Sequence, residues 1–167
     1  MEEYIINFEG FPITGGNYKI KELTVVNVSD LKKRQFMVQH TQDEFATLGA
    51  RDRQTYHWVG ENHHYLPWHE DSEKHEMVSS EWLFQYLRNL SRKGTLWLKG
   101  AQKVNFLSRQ LRCLVMSLES LIIQISTEFY MENPCCGHPC HRHIVHCSTR
   151  KALGQTYKLR ELRGEDE

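Results

Sequence analysis

Four of the chain's five cysteines and four of its ten histidines fall within thirteen residues, in the run Cys-Cys-Gly-His-Pro-Cys-His-Arg-His-Ile-Val-His-Cys from Cys135 to Cys147. Tetrahedral zinc selects thiolate and imidazole ligands, often in close pairs a few residues apart. A chain that carries such a run must bring several of these side chains to one point. The spacing Cys140-x-x-His143-x-x-x-Cys147 meets the requirement, and Cys136 completes a set of four. Cys135 and His138 compete for the fourth place from nearby, Cys113 and Glu119 from farther away. An iron–sulfur cluster normally asks for four regularly spaced cysteines, and the histidine content favours zinc. Soft ligands are numerous enough to close the shell, whereas a catalytic zinc keeps one position open to water. The expectation is therefore one structural Zn²⁺ ion in the segment 135–147.

The rest of the chain does not depend on that metal for a core. It has 167 residues, of which 40% are hydrophobic, a size and composition suited to a single globular domain over 1–167. Lys and Arg total 21, matched by 21 Asp and Glu. That balance argues against a strongly basic nucleic-acid binder but leaves room for a local basic patch. No apolar stretch is long enough to cross a bilayer. The segment MEEYIINFEG lacks the basic stretch of a signal peptide, so the expected location is cytoplasmic or nuclear. In a reducing compartment the cysteines do not read as a disulfide framework.

Apolar patterning predicts strands over Tyr4–Phe11, Tyr18–Val28 and Gln35–Gln39, the first two joined by a turn at Gly15-Gly16. Residues 43–61 are polar, with room for one or two short helices, and 62–78 read as irregular. Ser79 is positioned to cap a helix whose Trp82, Leu83, Tyr86, Leu87 and Leu90 share one face. A buried strand follows at Thr95–Leu98, then a helix at Ala101–Leu111, a short strand at Cys113–Met116 and a helical stretch at Leu118–Ile125. A last helix runs from Ser148 to Leu162, with Ala152, Leu153, Tyr157 and Leu162 inward. A meander followed by alternating strands and helices implies an α/β (α+β) fold with a mixed sheet and helices packed on it.

This order of elements resembles the ribonuclease H-like fold, in particular its DEDDh exonuclease branch. The first strand reads Asn7-Phe8-Glu9-Gly10-Phe11, similar to an Asp-x-Glu-Gly-Phe motif with its first carboxylate changed. Lys21-Glu22-Leu23, the stretch Trp58…His64-x-Leu66-x-Trp68, Leu98-Lys99-Gly100 with Lys103, and Cys140-x-x-His143 followed by His146-Cys147 resemble elements of an arthropod group of such domains. The Maelstrom domain of the piRNA pathway, with the same fold and a Glu-Cys-His-Cys zinc site, looks like a more distant relative.

The resemblance implies two divalent cations on a set of carboxylates, and this chain departs from it. Asn7 replaces the first carboxylate, lysine and asparagine occupy the middle motif, and Lys151 stands where an aspartate is wanted. Glu9 and His146 are the only remnants. Hard cations need several oxygen ligands, so the two-metal chemistry is expected to be lost, with Glu9 pairing with Lys151. The module then acts by binding a protein partner or RNA, in a small-RNA or transposon-silencing pathway if the Maelstrom analogy holds. Tyr56–His69 is the candidate docking surface. Lys19, Lys21, Lys32, Lys33 and Arg34, or Arg88, Arg92 and Lys93, are the candidate RNA contacts. An active metal-dependent 3′–5′ exonuclease or single-stranded RNA endonuclease is the alternative.

Overall fold

The computed structural model describes residues 1–68, 75–121, 127–138 and 141–165. Its centre is a six-stranded mixed sheet in the order β4-β3-β2-β1-β5-β6. β1 (Glu2–Ile13), β2 (Asn17–Asn27) and β3 (Lys33–Val38) form the antiparallel meander. β4 (Glu76–Val78) adds parallel to β3, while β5 (Gly94–Leu98) and β6 (Met116–Ser117) extend the other side parallel to β1 and to each other. β1 is buried without a break from Tyr4 to Phe11. A strand with both faces covered reads as a continuous apolar run rather than an alternating one.

One face is covered by α3 (Ser80–Lys93) and α4 (Ala101–Leu111). Leu83, Leu87, Leu90, Phe106, Leu107 and Leu111 pack there on Tyr4, Ile6, Phe8 and Leu23. Ser79 caps α3, its hydroxyl accepting from the Trp82 N–H at 3.2 Å. The opposite face carries α6 (Ser148–Leu162), whose Ala152, Leu153 and Leu159 meet Ile5, Val26, Val28 and Trp97. α1 (Gln42–Ala46) and α2 (Ala50–Asn62) lead into a smaller cluster of Phe11, Val59 and Trp68. α5 (Thr127–Met131) packs on α6, close enough that a Cβ on Gly154 would stand 2.7 Å from the Tyr130 ring.

A bulge between β1 and β2 sets which side chains of β2 point inward. Glu9 pairs with Glu22 but Gly10 pairs with Ile20, so Lys21 is the extra residue of the bulge. The slip puts Ile20 and Leu23 in the same core cluster although they are three residues apart. Only glycine fits at position 10, where a Cβ would lie 2.3 Å from the Lys19 carbonyl oxygen.

Several expectations are corrected. The stretch 62–78 is not wholly irregular, since its last residues form β4, too short to show a period. The strand expected at Cys113–Met116 is displaced to Met116–Ser117, because Arg112 turns left-handed (φ 52°) at the end of α4. Leu118–Leu121 is a 3₁₀ turn; the rest of that expected helix, 122–125, lies outside the described residues. Tyr157 and Leu162 are exposed, and Leu159 takes the inward position because the buried stripe of α6 runs through 148, 152, 155 and 159.

Candidate metal centre

Glu22, Cys136, His143 and Cys147 bring one ligand atom each into a group whose members all lie within 4.8 Å of one another. Glu22 comes from the middle of β2, Cys136 from the loop after α5, and His143 from a 3₁₀ turn over His141–His146. Cys147 is the N-cap of α6. Glu22, His143 and Cys147 are fully buried. A tetrahedral zinc with bonds of about 2.0–2.3 Å holds its ligand atoms roughly 3.3–3.8 Å apart. Here Cys136 Sγ lies 3.2 Å and His143 Nε2 lies 2.8 Å from Glu22 Oε2. Two sulfurs, one imidazole nitrogen and one carboxylate oxygen are a donor set that can hold a metal ion.

The imidazole geometry gives a sharper argument. His143 Nδ1 lies 2.6 Å from the His64 carbonyl oxygen. A carbonyl only accepts, so Nδ1 must carry the proton. Nε2 of the neutral ring then faces the Glu22 carboxylate with a lone pair. Two lone pairs at 2.8 Å repel unless a cation, a proton or a metal ion, stands between them. Burial disfavours the imidazolium, but Cys147 and Glu22 overrule it and push the His143 pKa up to about 11. Burial likewise raises Glu22, and its bonds from His143 and Ser148 bring it below the ordinary carboxylate range. The His64 carbonyl orients the ligand ring from behind, as partners of metal-bound histidines do.

Glu22 also caps α6 from outside the helix. Cys147 provides no side-chain cap. Instead the Ser148 N–H donates to Glu22 Oε1 at 2.6 Å, and the Ser148 hydroxyl donates to the same atom at 2.5 Å. A negative charge is favoured at this end of the helix dipole.

Directly opposite Glu22 on β1, the buried Glu9 has a different environment. Lys151 Nζ donates to its Oε1 at 2.7 Å, the pairing expected from sequence, and His63 Nε2 lies 3.6 Å from Oε2. Burial raises its pKa, but the Lys103 and Lys151 charges and the His63 bond hold it well below the ordinary range. Lys103 donates to the Phe8 carbonyl at 2.7 Å and lies over the Phe8 ring. His146 is half-buried, its ring centred 3.7 Å from that of His63 and tilted 32° to it; burial and the neighbouring charges lower its pKa to about 4. Its Nδ1 and the Asn7 Oδ1 are buried without a hydrogen-bond partner among the described residues.

Of the sequence-selected ligands, Cys136, His143 and Cys147 come together, and Cys140 lies outside the described residues. The His138 ring stands 5.2 Å from that of His143, outside the four-membered group. Cys135 is half-buried beside it, Cys113 packs against the main core, and Glu119 accepts the Gly100 N–H at 3.1 Å. Sequence reasoning did not select Glu22 as a ligand. The available signal was a Lys-Glu pair in the middle of an otherwise apolar strand.

Part of each of two expected surfaces turns inward. Lys21 is fully buried and donates to the carbonyls of Val38 (2.8 Å) and Trp68 (2.7 Å), so it is not an RNA contact. In Tyr56–His69, His64, Leu66 and Trp68 are buried, while Trp58 is 63% exposed and His69 lies outside the described residues. His64 is held neutral: Nε2–H donates to the Gly10 carbonyl at 2.9 Å, Nδ1 accepts the Leu66 N–H, and burial lowers its pKa to about 4. Among the described residues no helix is long and apolar enough to cross a membrane. No protein-family model matches the sequence, and no curated protein is significantly similar to it.

Proposed function

We propose that the chain is a ribonuclease H-like module, related to the Maelstrom domain, that holds one structural zinc ion and acts by binding RNA rather than by two-metal hydrolysis. The observation that carries the reading is the contrast between two buried carboxylates on adjacent strands. Glu22 faces two cysteines and a histidine, a soft donor set that selects zinc over magnesium. Glu9 faces Lys151 and Lys103, whose ammonium groups occupy the space that hard cations would need. Residues 22, 136, 143 and 147 would hold the zinc, which ties β2 to the start of α6.

The order of strands and helices and the Glu-Cys-His-Cys donor set support the family reading, and the small-RNA or transposon-silencing role follows from that resemblance alone. RNA is favoured over a protein partner because the opening beside Glu9 is lined by lysines, carboxamides and tyrosines, while His64, Leu66 and Trp68 of the expected docking stretch are buried.

The test combines elemental analysis with a nuclease assay on labelled single-stranded RNA and DNA in Mg²⁺, Mn²⁺ or EDTA. One zinc per chain, RNA retention and no metal-dependent trimming are expected. Trimming that EDTA abolishes would establish the exonuclease alternative, and a metal-free, stable protein would remove the zinc.

A further inference from the structure

A cavity of about 500 Å³ opens beside Glu9, where the end of β5 and the start of α4 face α5 and α6. We propose that it binds a terminal phosphate monoester carried on a ribose. Lys99, Lys103, Lys151 and the first turn of α4 take the phosphate, and the Asn7 and Gln155 carboxamides take the sugar hydroxyls. The choice of a ribonucleotide ligand rests on the RNA-binding function proposed for the chain; the site itself does not.

The phosphate end is marked by charge and by backbone. Lys99, Lys103 and Lys151 all line the cavity. Lys99 is exposed and has no ion pair among the described residues. Gly100, at φ 102°, swings the chain from β5 into the eleven-residue α4, which has no side-chain cap and no acidic residue in its first turn. The first N–H groups of a helix have no intrahelical acceptor, and such an end attracts phosphate. Glu119 lines the same cavity, with Oε1 accepting the Gly100 N–H, and Glu9 pairs with Lys151 behind it. Three lysines against these two carboxylates leave the site net positive.

The hydroxyl end is marked by an unmet need. Asn7 is 6% and Gln155 1% exposed, both line the cavity, and Asn7 Oδ1 and Gln155 Oε1 have no hydrogen-bond partner among the described residues. Buried polar atoms are rarely left unpaired in folded proteins. Two acceptors beside a cluster of cations match a ligand that presents hydroxyl donors next to a phosphate. Inorganic phosphate satisfies only half of that pattern.

The phosphate-bearing group can be the end of an RNA or a free nucleotide. Binding is measured by fluorescence polarisation and calorimetry on the zinc-analysed full chain, with short single-stranded RNAs ending in 5′-phosphate, 3′-phosphate or hydroxyl at both ends. Adenosine monophosphate and inorganic phosphate are the further probes. A phosphate-ended RNA should bind at least about tenfold more tightly than its hydroxyl-ended twin, as charge-assisted contacts to phosphate predict, with strong salt dependence. Lys99→Glu should erase that preference, and Ala101→Trp should block the cavity; both positions are exposed and can be changed without disturbing the core. Adenosine monophosphate binding with the same two sensitivities, and no RNA-end preference, would identify the free nucleotide as the source. Equal affinity for phosphate- and hydroxyl-ended RNA without nucleotide binding, or binding that neither substitution changes, overturns the proposal. Zinc content and absence of trimming are read on the same preparation, so failure here is distinct from failure of the metal or pseudo-nuclease reading.

Discussion

Glu9 and Glu22 stand opposite each other across β1 and β2, and both are bonded from the first turn of α6, Glu22 by the Ser148 N–H and hydroxyl and Glu9 by the Lys151 ammonium. One helix end thus answers two buried carboxylates in different ways. At Glu22 the other oxygen faces the Cys136 thiol and the His143 ring; at Glu9 the charge is met by lysines. α6 is therefore attached to both the candidate metal centre and the Glu9 centre.

That double attachment separates two roles of Glu22. Cys136→Ser should lose the metal but keep the Glu22–Ser148 bonds. Glu22→Ala should lose both the metal and the cap. In chelator, where all proteins are metal-free, Cys136→Ser should therefore unfold close to the wild type. Glu22→Ala should be less stable than either by at least about 1–2 kcal/mol, the usual cost of a lost helix cap, because it also removes the buried partner of His143. Urea titrations in EDTA, with metal content read in parallel, check the ordering. Identical apo stabilities for Glu22→Ala and the wild type would show that the carboxylate serves the metal alone.

Lys21 should be a structural lysine. Its ammonium is buried against the Val38 and Trp68 carbonyls, pinning the segment that begins at His64, whose own carbonyl orients His143. Lys21→Met removes the donor and leaves buried acceptors unpaired, at a cost of about 1–3 kcal/mol. Hydrogen exchange should accelerate first at residues 64–68. A Lys21→Met protein with native stability but weakened RNA binding would instead return Lys21 to the surface role suggested by its sequence.

The parts of the fold that could be read in advance are those whose signal is local. α3 and its Ser79 cap, α4 and the bounds of α6 follow from helical spacing and end residues, and β1 and β2 from long apolar runs. The missed parts depend on distant partners. β4 is three residues long and exists because β3 offers it an edge. Glu22 is 114 positions from Cys136, and nothing in the spacing of the Cys/His run points back to it. The inward placement of Leu159 rather than Tyr157 is set by how α6 lies on Ile5 and Val26, which the helix's own pattern does not specify.

Gly10 should be the least replaceable residue of the meander. A Cβ there meets the backbone of Lys19 and Ile20, at 2.3 and 2.9 Å, and backbone cannot rotate away as a side chain can. Gly10→Ala must therefore open the bulge, disturbing the Glu9–Glu22 pairing and the carbonyl that His64 donates to. Destabilisation of roughly 3 kcal/mol or more is expected, together with weakened metal retention. Differential scanning calorimetry with and without zinc measures both. A variant within about 0.5 kcal/mol of wild type, in the range of an ordinary surface change, would contradict the bulge geometry.

The Glu9 centre should also leave a signature in acid. Its carboxyl is held well below the ordinary value of 4.5 in the folded chain. The unfolded chain therefore takes up a proton at higher pH than the folded one. By linkage, stability rises with pH through that interval. The contribution is fully present above about pH 4.5–5 and is lost as pH falls toward the folded-state value. Glu9→Gln removes it, so the variant should show a shallower loss of stability between pH 5 and pH 3, approximately, than the wild type. At neutral pH it should be less stable, because Lys151 and Lys103 lose their counter-charge. Lys151→Met should cost about 3 kcal/mol at neutral pH by leaving the buried carboxylate short of a partner. The Glu9→Gln/Lys151→Met double variant should cost less than the two single changes together, since contacting residues are not additive. Urea midpoints for the four proteins across that pH range test the whole cycle. Additive costs, with an unchanged acid limb in Glu9→Gln, would show that the two side chains do not act as a pair.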